Sequence, residues 1–155
     1  MIDTDAGTDD AWALFMALAA HQNPDIPFRI VGFTCVQGNT SVDNVAVNVT
    51  RTLQTAGISN VSNNFSYYDY VRQMNSFSFF ACPPQIPIFR GTESALVFPL
   101  DTGDDPYHGE DGFGDAGLPP VQPSIEAEHG VNAIIQLAEL YKSKTLTQFL
   151  EKVGT

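Results

Sequence analysis

The sequence predicts an α/β fold, an open and mostly parallel Rossmann-like sheet with helices on both faces. Three observations predict it. Short β-branched or aromatic runs alternate with longer helical patterns, in the order strand, helix, strand, helix. The run "FRIVGFTCV", residues 28–36, is apolar on both alternating faces, as in a central strand covered on each side. The connections between successive strands are long enough for right-handed crossovers.

Met1 and Ile2 read as the remnant of a first strand, with any leader or earlier strand residues expected to be missing. "DDAWALFMALAAHQNPD" is apolar nearly all round from Ala11 to Ala20, which predicts a buried helix with Trp12 in the core. Asn23-Pro24 ends it, because proline cannot continue a helix. His21 and His129 read as surface or helix-end histidines. After the strand at 28–36 comes "QGNTS", a Gly-Asn turn, and a second helix. Val42, Val45, Ala46, Val49, Leu53 and Ala56 share one face of it, and Gly57 falls where a helix-ending glycine belongs. "QIPIFRG", residues 85–91, predicts a short strand. Residues 99–123 form a Gly/Pro/Asp-rich loop without periodicity, in which Asp104-Asp105 and Glu110-Asp111 read as solvated charges. "SIEAEHGVNAIIQLAELY" predicts an amphipathic helix capped by Ser124. Together these define one domain over residues 1–147, interrupted by an aperiodic Ser/Asn/Phe/Tyr-rich insertion at 59–84 and followed by a divergent tail at 148–155. The insertion is expected to be either a disordered surface segment or translated intervening sequence.

Composition narrows the partners. Of 155 residues, 43% are hydrophobic, ample for a packed core. The net charge is −11, and the seven Lys and Arg residues are scattered singly, so nucleic acid and anionic membranes are excluded as expected partners. No apolar run approaches the ~20 residues of a membrane span. Cys35 and Cys82 have neither framework nor metal-ligand spacing and read as buried thiols in a reducing, cytoplasmic compartment. Sequons at Asn39, Asn48, Asn60 and Asn64 keep a secreted form open.

"MIDTDAGTDDAWALF" carries the chemistry. Asp3, Asp5, Asp9 and Asp10 crowd into ten residues and then meet an apolar helix. Like charges at close range repel by a few kcal/mol, a cost that a cation or a hydroxylated ligand among them would offset. A plain alternative is a solvated N-terminus in which Asp9 and Asp10 complement the helix dipole. An EF-hand loop fails, since its glycine and glutamate positions fall on Thr8 and Leu14. An Asp-x-Asp phosphatase loop fits less well, because Gly7 and the Asp9-Asp10 pair are foreign to it.

"IDTDAGTDDAWAL" closely resembles the Asp-x-Asp-x-Gly-x-Asp-Asp-Ala signature of the inosine/uridine-preferring nucleoside hydrolases. "VQGNTSVDNVAVNV", "IPIFRG" and "YHGEDGFGD" resemble further blocks of that family in the same order. Ala6 stands where the family usually has proline. The resemblance covers residues 1–58 and 85 to about 147, so the chain looks like the N-terminal part of such an enzyme, shortened. It implies calcium-dependent cleavage of the N-glycosidic bond of a ribonucleoside. Asp5 would hold Ca2+ and deprotonate the attacking water. Asp10 would be the second calcium carboxylate, with Asp3 a neighbour near the metal. Asp9 and Asn39 would bind ribose, and His108 would be a catalytic-loop histidine near the substrate. A homo-oligomer is compatible with the family. The second reading is a non-catalytic product that binds nucleoside or pairs with longer subunits, because the family's remaining metal and ribose ligands are absent from these residues.

Overall fold

The computed structural model describes residues 1–58, 86–94 and 107–139. The insertion at 59–84, Cys82, the sequons at Asn60 and Asn64, Asp104-Asp105 and the tail at 148–155 lie outside the described residues. The elements run β1 (Ile2–Thr4), α1 (Thr8–Gln22), β2 (Phe33–Cys35), α2 (Val42–Thr55), β3 (Ile88–Arg90) and β4 (Ile125–Glu126), followed by α3, helical over 130–139. The four strands are all parallel and lie in the order β1-β2-β3-β4. Chain order and spatial order coincide, so the described strands contain no reversal point.

Register decides the faces. Ile2, Phe33 and Ile88 are aligned across the sheet and pack in one cluster with Leu14 and Leu18 of α1 and Val45, Val49 and Leu53 of α2. One residue along, the side chains turn to the opposite face. There Thr34 and Phe89 are buried, and a Cβ on Gly130 would lie 3.2 Å from Thr34 Cγ2. The start of α3 therefore covers the face opposite α1 and α2, and the expected two-sided α/β arrangement is present. Each fully buried Leu, Ile or Phe of this core contributes roughly 1.5–3 kcal/mol.

Local signals explain the helix ends. α1 begins at Gly7 in an extended conformation, and the Asp10 carboxylate reaches back to accept the Gly7 N–H at 3.0 Å. This is the reciprocal half of a capping box, since glycine has no side chain to supply the other half. Ser41 caps α2, its hydroxyl accepting from the Asn44 N–H. At the far end Gly57 has φ +75°, its N–H bonds to Gln54 O, and Ile58 N–H reaches back to Leu53 O. Those two bonds, with Ile58 and Leu53 both buried, make a Schellman end as the glycine position predicted.

Several expectations are corrected. β1 runs through Asp3 and Thr4, so it is more than Met1 and Ile2, and Asp3 lies within the strand. Residues 30–35 are buried as expected, but only Phe33–Cys35 form the regular strand. α1 is buried on one side only: Trp12 is 75% and Met16 76% exposed, whereas Ala11, Leu14 and Leu18 face the core. Ser124 caps nothing, because Ile125 and Glu126 pair with β3. The helix starts after His129, whose Nδ1 accepts from the Val131 N–H and whose carbonyl accepts from the Ala133 N–H. Cys35 is a buried thiol as expected; burial first and then the Asp3 charge push its pKa up to about 12. Among the described residues no helix is long and apolar enough to cross a membrane.

His21 is the largest departure: it is buried at the end of α1, and its Nδ1 accepts the Ile30 N–H at 3.0 Å. Burial and then the Arg29 charge lower its pKa below the ordinary 6.5. The unfolded chain takes up a proton near 6.5 that the fold resists, so the stability linked to His21 is complete above that pH and falls as pH drops toward the folded pKa. The melting temperature should therefore decline as pH falls below 6.5, and His21→Gln should flatten that slope in thermal melts followed by circular dichroism.

Candidate active site

The acidic centre forms where β1 and β2 end side by side. Thr4 pairs with Cys35 in register, which brings the residues after each strand together. Asp5 follows β1, and the Gly38-Asn39 turn follows β2. Asn39 binds both carboxylates that matter: its backbone N–H donates to Asp5 Oδ2 at 3.0 Å, and its side-chain amide donates to Asp10 Oδ2 at 3.2 Å. Gly38 presses so closely on Asp5 that a Cβ there would lie 2.7 Å from Asp5 Cγ. Only glycine permits that approach.

Between the strand and α1 the chain turns at Ala6, with φ +35°. Proline, fixed near φ −65°, has no access to that conformation, so the departure from the family signature carries a backbone consequence. The turn is held from both sides. Ala6 N–H donates to Thr4 Oγ1 at 3.1 Å, and Ala6 O accepts from Asn48 Nδ2 at 3.2 Å.

Residues 107–115 form a second loop that docks on the same place. Asn48 is fully buried in α2 and donates also to Asp111 O at 2.8 Å. Thr40 Oγ1 donates to Glu110 O at 2.6 Å, and Asn44 reaches the same carbonyl. Gly112, at φ +80°, lies so near Thr40 and Asn48 that a Cβ would come within 2.9 Å of both. The loop folds on its own carboxylates: Asp115 accepts from the Glu110 and Asp111 N–H groups, and Asp111 from those of Phe113 and Asp115. Asp111 is therefore a structural acceptor rather than a solvated charge. Docking places the His108 ring beside Thr8, 2.7 Å from its hydroxyl, and 3.3 Å from Asp9 Oδ1.

The structure thus brings Asp5, Asp9, Asp10, Asn39 and His108 into one neighbourhood. Asp3 is elsewhere, its carboxylate accepting from the Thr34 hydroxyl on β2. Among the described residues no three His, Cys, Asp or Glu side chains form a metal-binding group, so Asp3 does not join Asp5 and Asp10 in one. What the two remaining carboxylates offer a cation is hard oxygen donors and close like charge. Burial first, and after it the Asp5 and Asp9 charges, push the Asp10 carboxyl above its ordinary range, against the downward pull of the Gly7 N–H bond. That chemistry fits a divalent cation at Asp5 and Asp10.

Sequence reasoning missed Asn48, Thr40 and Thr8. Asn48 had a signal: a polar residue beside Val45, Val49 and Leu53 on the apolar face of α2 needs a buried partner. Its burial also removes its sequon as a glycosylation site in the folded chain.

The class is an open parallel α/β sheet with a carboxylate cluster at the carboxyl ends of its strands, the edge where sheets of this kind bind their ligands. Residues 1–63 match the model of the inosine-uridine preferring nucleoside hydrolase family. An inosine-uridine preferring nucleoside hydrolase of Leishmania major is 30% identical over 148 residues, which are 95% of this chain and 37% of that protein. The solved structure of an inosine-guanosine nucleoside hydrolase superposes with a TM-score of 0.57 at 30% identity, covering 89% of this chain and 32% of that one. A plant nucleoside hydrolase shares the fold, with a TM-score of 0.62 at 24% identity over 90% of this chain and 35% of that one. The chain spans about a third of the length of the relatives it matches.

Two outcomes follow from this geometry. Because the folded pKa of Asp10 is raised, its ionisation destabilises the fold, a cost absent below the unfolded value of 3.8 and growing as pH rises through the folded pKa. In metal-free buffer Asp10→Asn should melt higher than the parent at neutral pH, and the gap should close below pH 3.8. Gly38→Ala should cost about 1–3 kcal/mol in urea unfolding, the usual penalty for forcing atoms into filled space.

Proposed function

We propose that this site hydrolyses the N-glycosidic bond of a ribonucleoside, releasing the base and ribose, with Ca2+ at Asp5 and Asp10. The observation that carries the reading is the Asp5–Asn39–Asp10 arrangement beside Asp9 and His108, in a chain whose residues 1–63 match the nucleoside hydrolase family. Asp9, its side chain 78% exposed, is free to accept hydrogen bonds from ribose hydroxyls at the mouth of the site. Asn39 adds a polar edge next to it. Calcium, when bound, supplies the positive charge that offsets the two carboxylates and favours deprotonation of the attacking water. Asp5 takes that proton. The water oxygen bonds to C1′, the bond from C1′ to the base nitrogen breaks with its electron pair leaving on the base, and the base takes up a proton from solvent. The carboxylates around the sugar stabilise the oxocarbenium-like charge that develops meanwhile.

A second reading, binding of nucleoside without cleavage, is favoured by one observation: only two carboxylates converge for the cation among the described residues. The experiment separates the two. Purified chain with calcium is incubated with inosine or uridine, and released ribose is measured as reducing sugar. Release that Asp5→Asn reduces by at least 10²-fold supports hydrolysis, that being the low end of a general base's usual contribution. Calorimetric nucleoside binding without release supports the second reading. Calcium binding by calorimetry that survives Asp10→Ala would overturn the metal assignment.

A further inference from the structure

We infer that Thr8 is a positioning residue for His108, holding the imidazole at Nδ1 so that its Nε2 edge faces Asp9, whose carboxylate sets the Nε2–H tautomer. The purpose of this arrangement rests on the proposed nucleoside site; the geometry does not. The His108 side chain is only 10% exposed, although it sits on a loop. Each ring nitrogen has its own partner: Nδ1 lies 2.7 Å from the Thr8 hydroxyl and Nε2 lies 3.3 Å from the Asp9 carboxylate.

The partners differ in kind, and that decides the proton. An ionised carboxylate only accepts, so the nitrogen facing Asp9 carries the hydrogen. In the neutral ring the other nitrogen is then a bare acceptor, and the Thr8 O–H donates to it. A flipped ring would set a carbon against Thr8 and leave that bond unmade. The hydroxyl rotates, so it can also accept from Nδ1–H, and the ring keeps its partner in either protonation state.

Two further features hold the ring plane. Tyr107 stands edge-on to it, with centroids 4.8 Å apart at 85°, and Gly7 lies flush against the ring, where a Cβ would come 3.0 Å from His108 Cδ2. The bonds from Thr40, Asn44 and Asn48 fix the backbone of the loop but end at carbonyls of Glu110 and Asp111. Thr8 acts on the ring itself. Under the proposed function, the ring N–H and the ribose hydroxyls meet on one carboxylate, and the histidine is oriented before any nucleoside arrives.

Nitrogen-15 NMR of the histidines tests this on the full chain without nucleoside, at a pH where the imidazole is neutral. A failure to hydrolyse nucleosides leaves this measurement unaffected. His108 should show a single Nε2–H tautomer. Thr8→Val should move its Nδ1 resonance toward that of a water-exposed imidazole, and Thr8→Ser should restore the parental value; Thr8 is exposed, so both variants should fold. An unchanged Nδ1 resonance in Thr8→Val, or an Nδ1–H tautomer in the parent, would overturn the assignment.

Discussion

Asn39 donates one N–H to Asp5 and another to Asp10, and the rest of the site is arranged around those two bonds. The carboxylates come from opposite ends of a tight turn, one just past β1 and one in the first turn of α1. Their mutual repulsion is worth a few kcal/mol at the effective dielectric of a partly buried site. Two charge-assisted bonds from a single residue offset part of that and set the spacing between the carboxylates. The arrangement needs Asn39 close to the end of β1, which is why Gly38 has no side chain and why β1 and β2 are adjacent and parallel. The raised Asp10 pKa reflects burial of its carboxylate first and the neighbouring Asp5 and Asp9 charges after it, and a bound cation would offset both.

A second layer of polar groups keeps the turn in place. Asn48 occupies an otherwise apolar face of α2, yet both of its amide hydrogens are used, on Ala6 O and Asp111 O, and its oxygen accepts from Arg51. A buried amide so fully bonded costs little to hold and much to lose, since its removal strands two carbonyls. It also joins two segments that the chain separates by about a hundred residues, the acidic turn and the histidine loop. The strained φ of Ala6 persists because bonds on both its N–H and its carbonyl over-determine it.

The α/β class, the positions of α1 and α2 and the ends of α2 were legible because each rests on local chemistry: apolar periodicity, a serine cap, a glycine with positive φ. The errors share a cause. "AWALFMALAA" gives no periodic contrast, so the exposure of Trp12 and Met16 was not to be read from it; the face of α1 that is covered depends on where α2 lies. "SIEAEH" fits a helical pattern, but pairing of Ile125 and Glu126 with β3 takes those residues into the sheet. His21 read as a helix-end histidine and became a buried acceptor because the chain returns after Asn23-Pro24 and lays Ile30 against it.

By itself the sequence singled out a candidate ligand-binding turn, since four aspartates and a glycine crowd into ten residues at a helix start. It also determined that the turn follows a strand and opens a helix, because those preferences are local. Tertiary structure decided which of the aspartates work together. Asp3 alternates to the other face of the sheet, where Thr34 meets it, while Asp5 and Asp10 converge on Asn39, 34 and 29 residues further along. It decided, too, that His108 meets Thr8 and Asp9, one hundred residues distant from Thr8. Long-range contacts of that kind come from strand register and loop docking, which depend on how whole elements pack, and no window of sequence contains them.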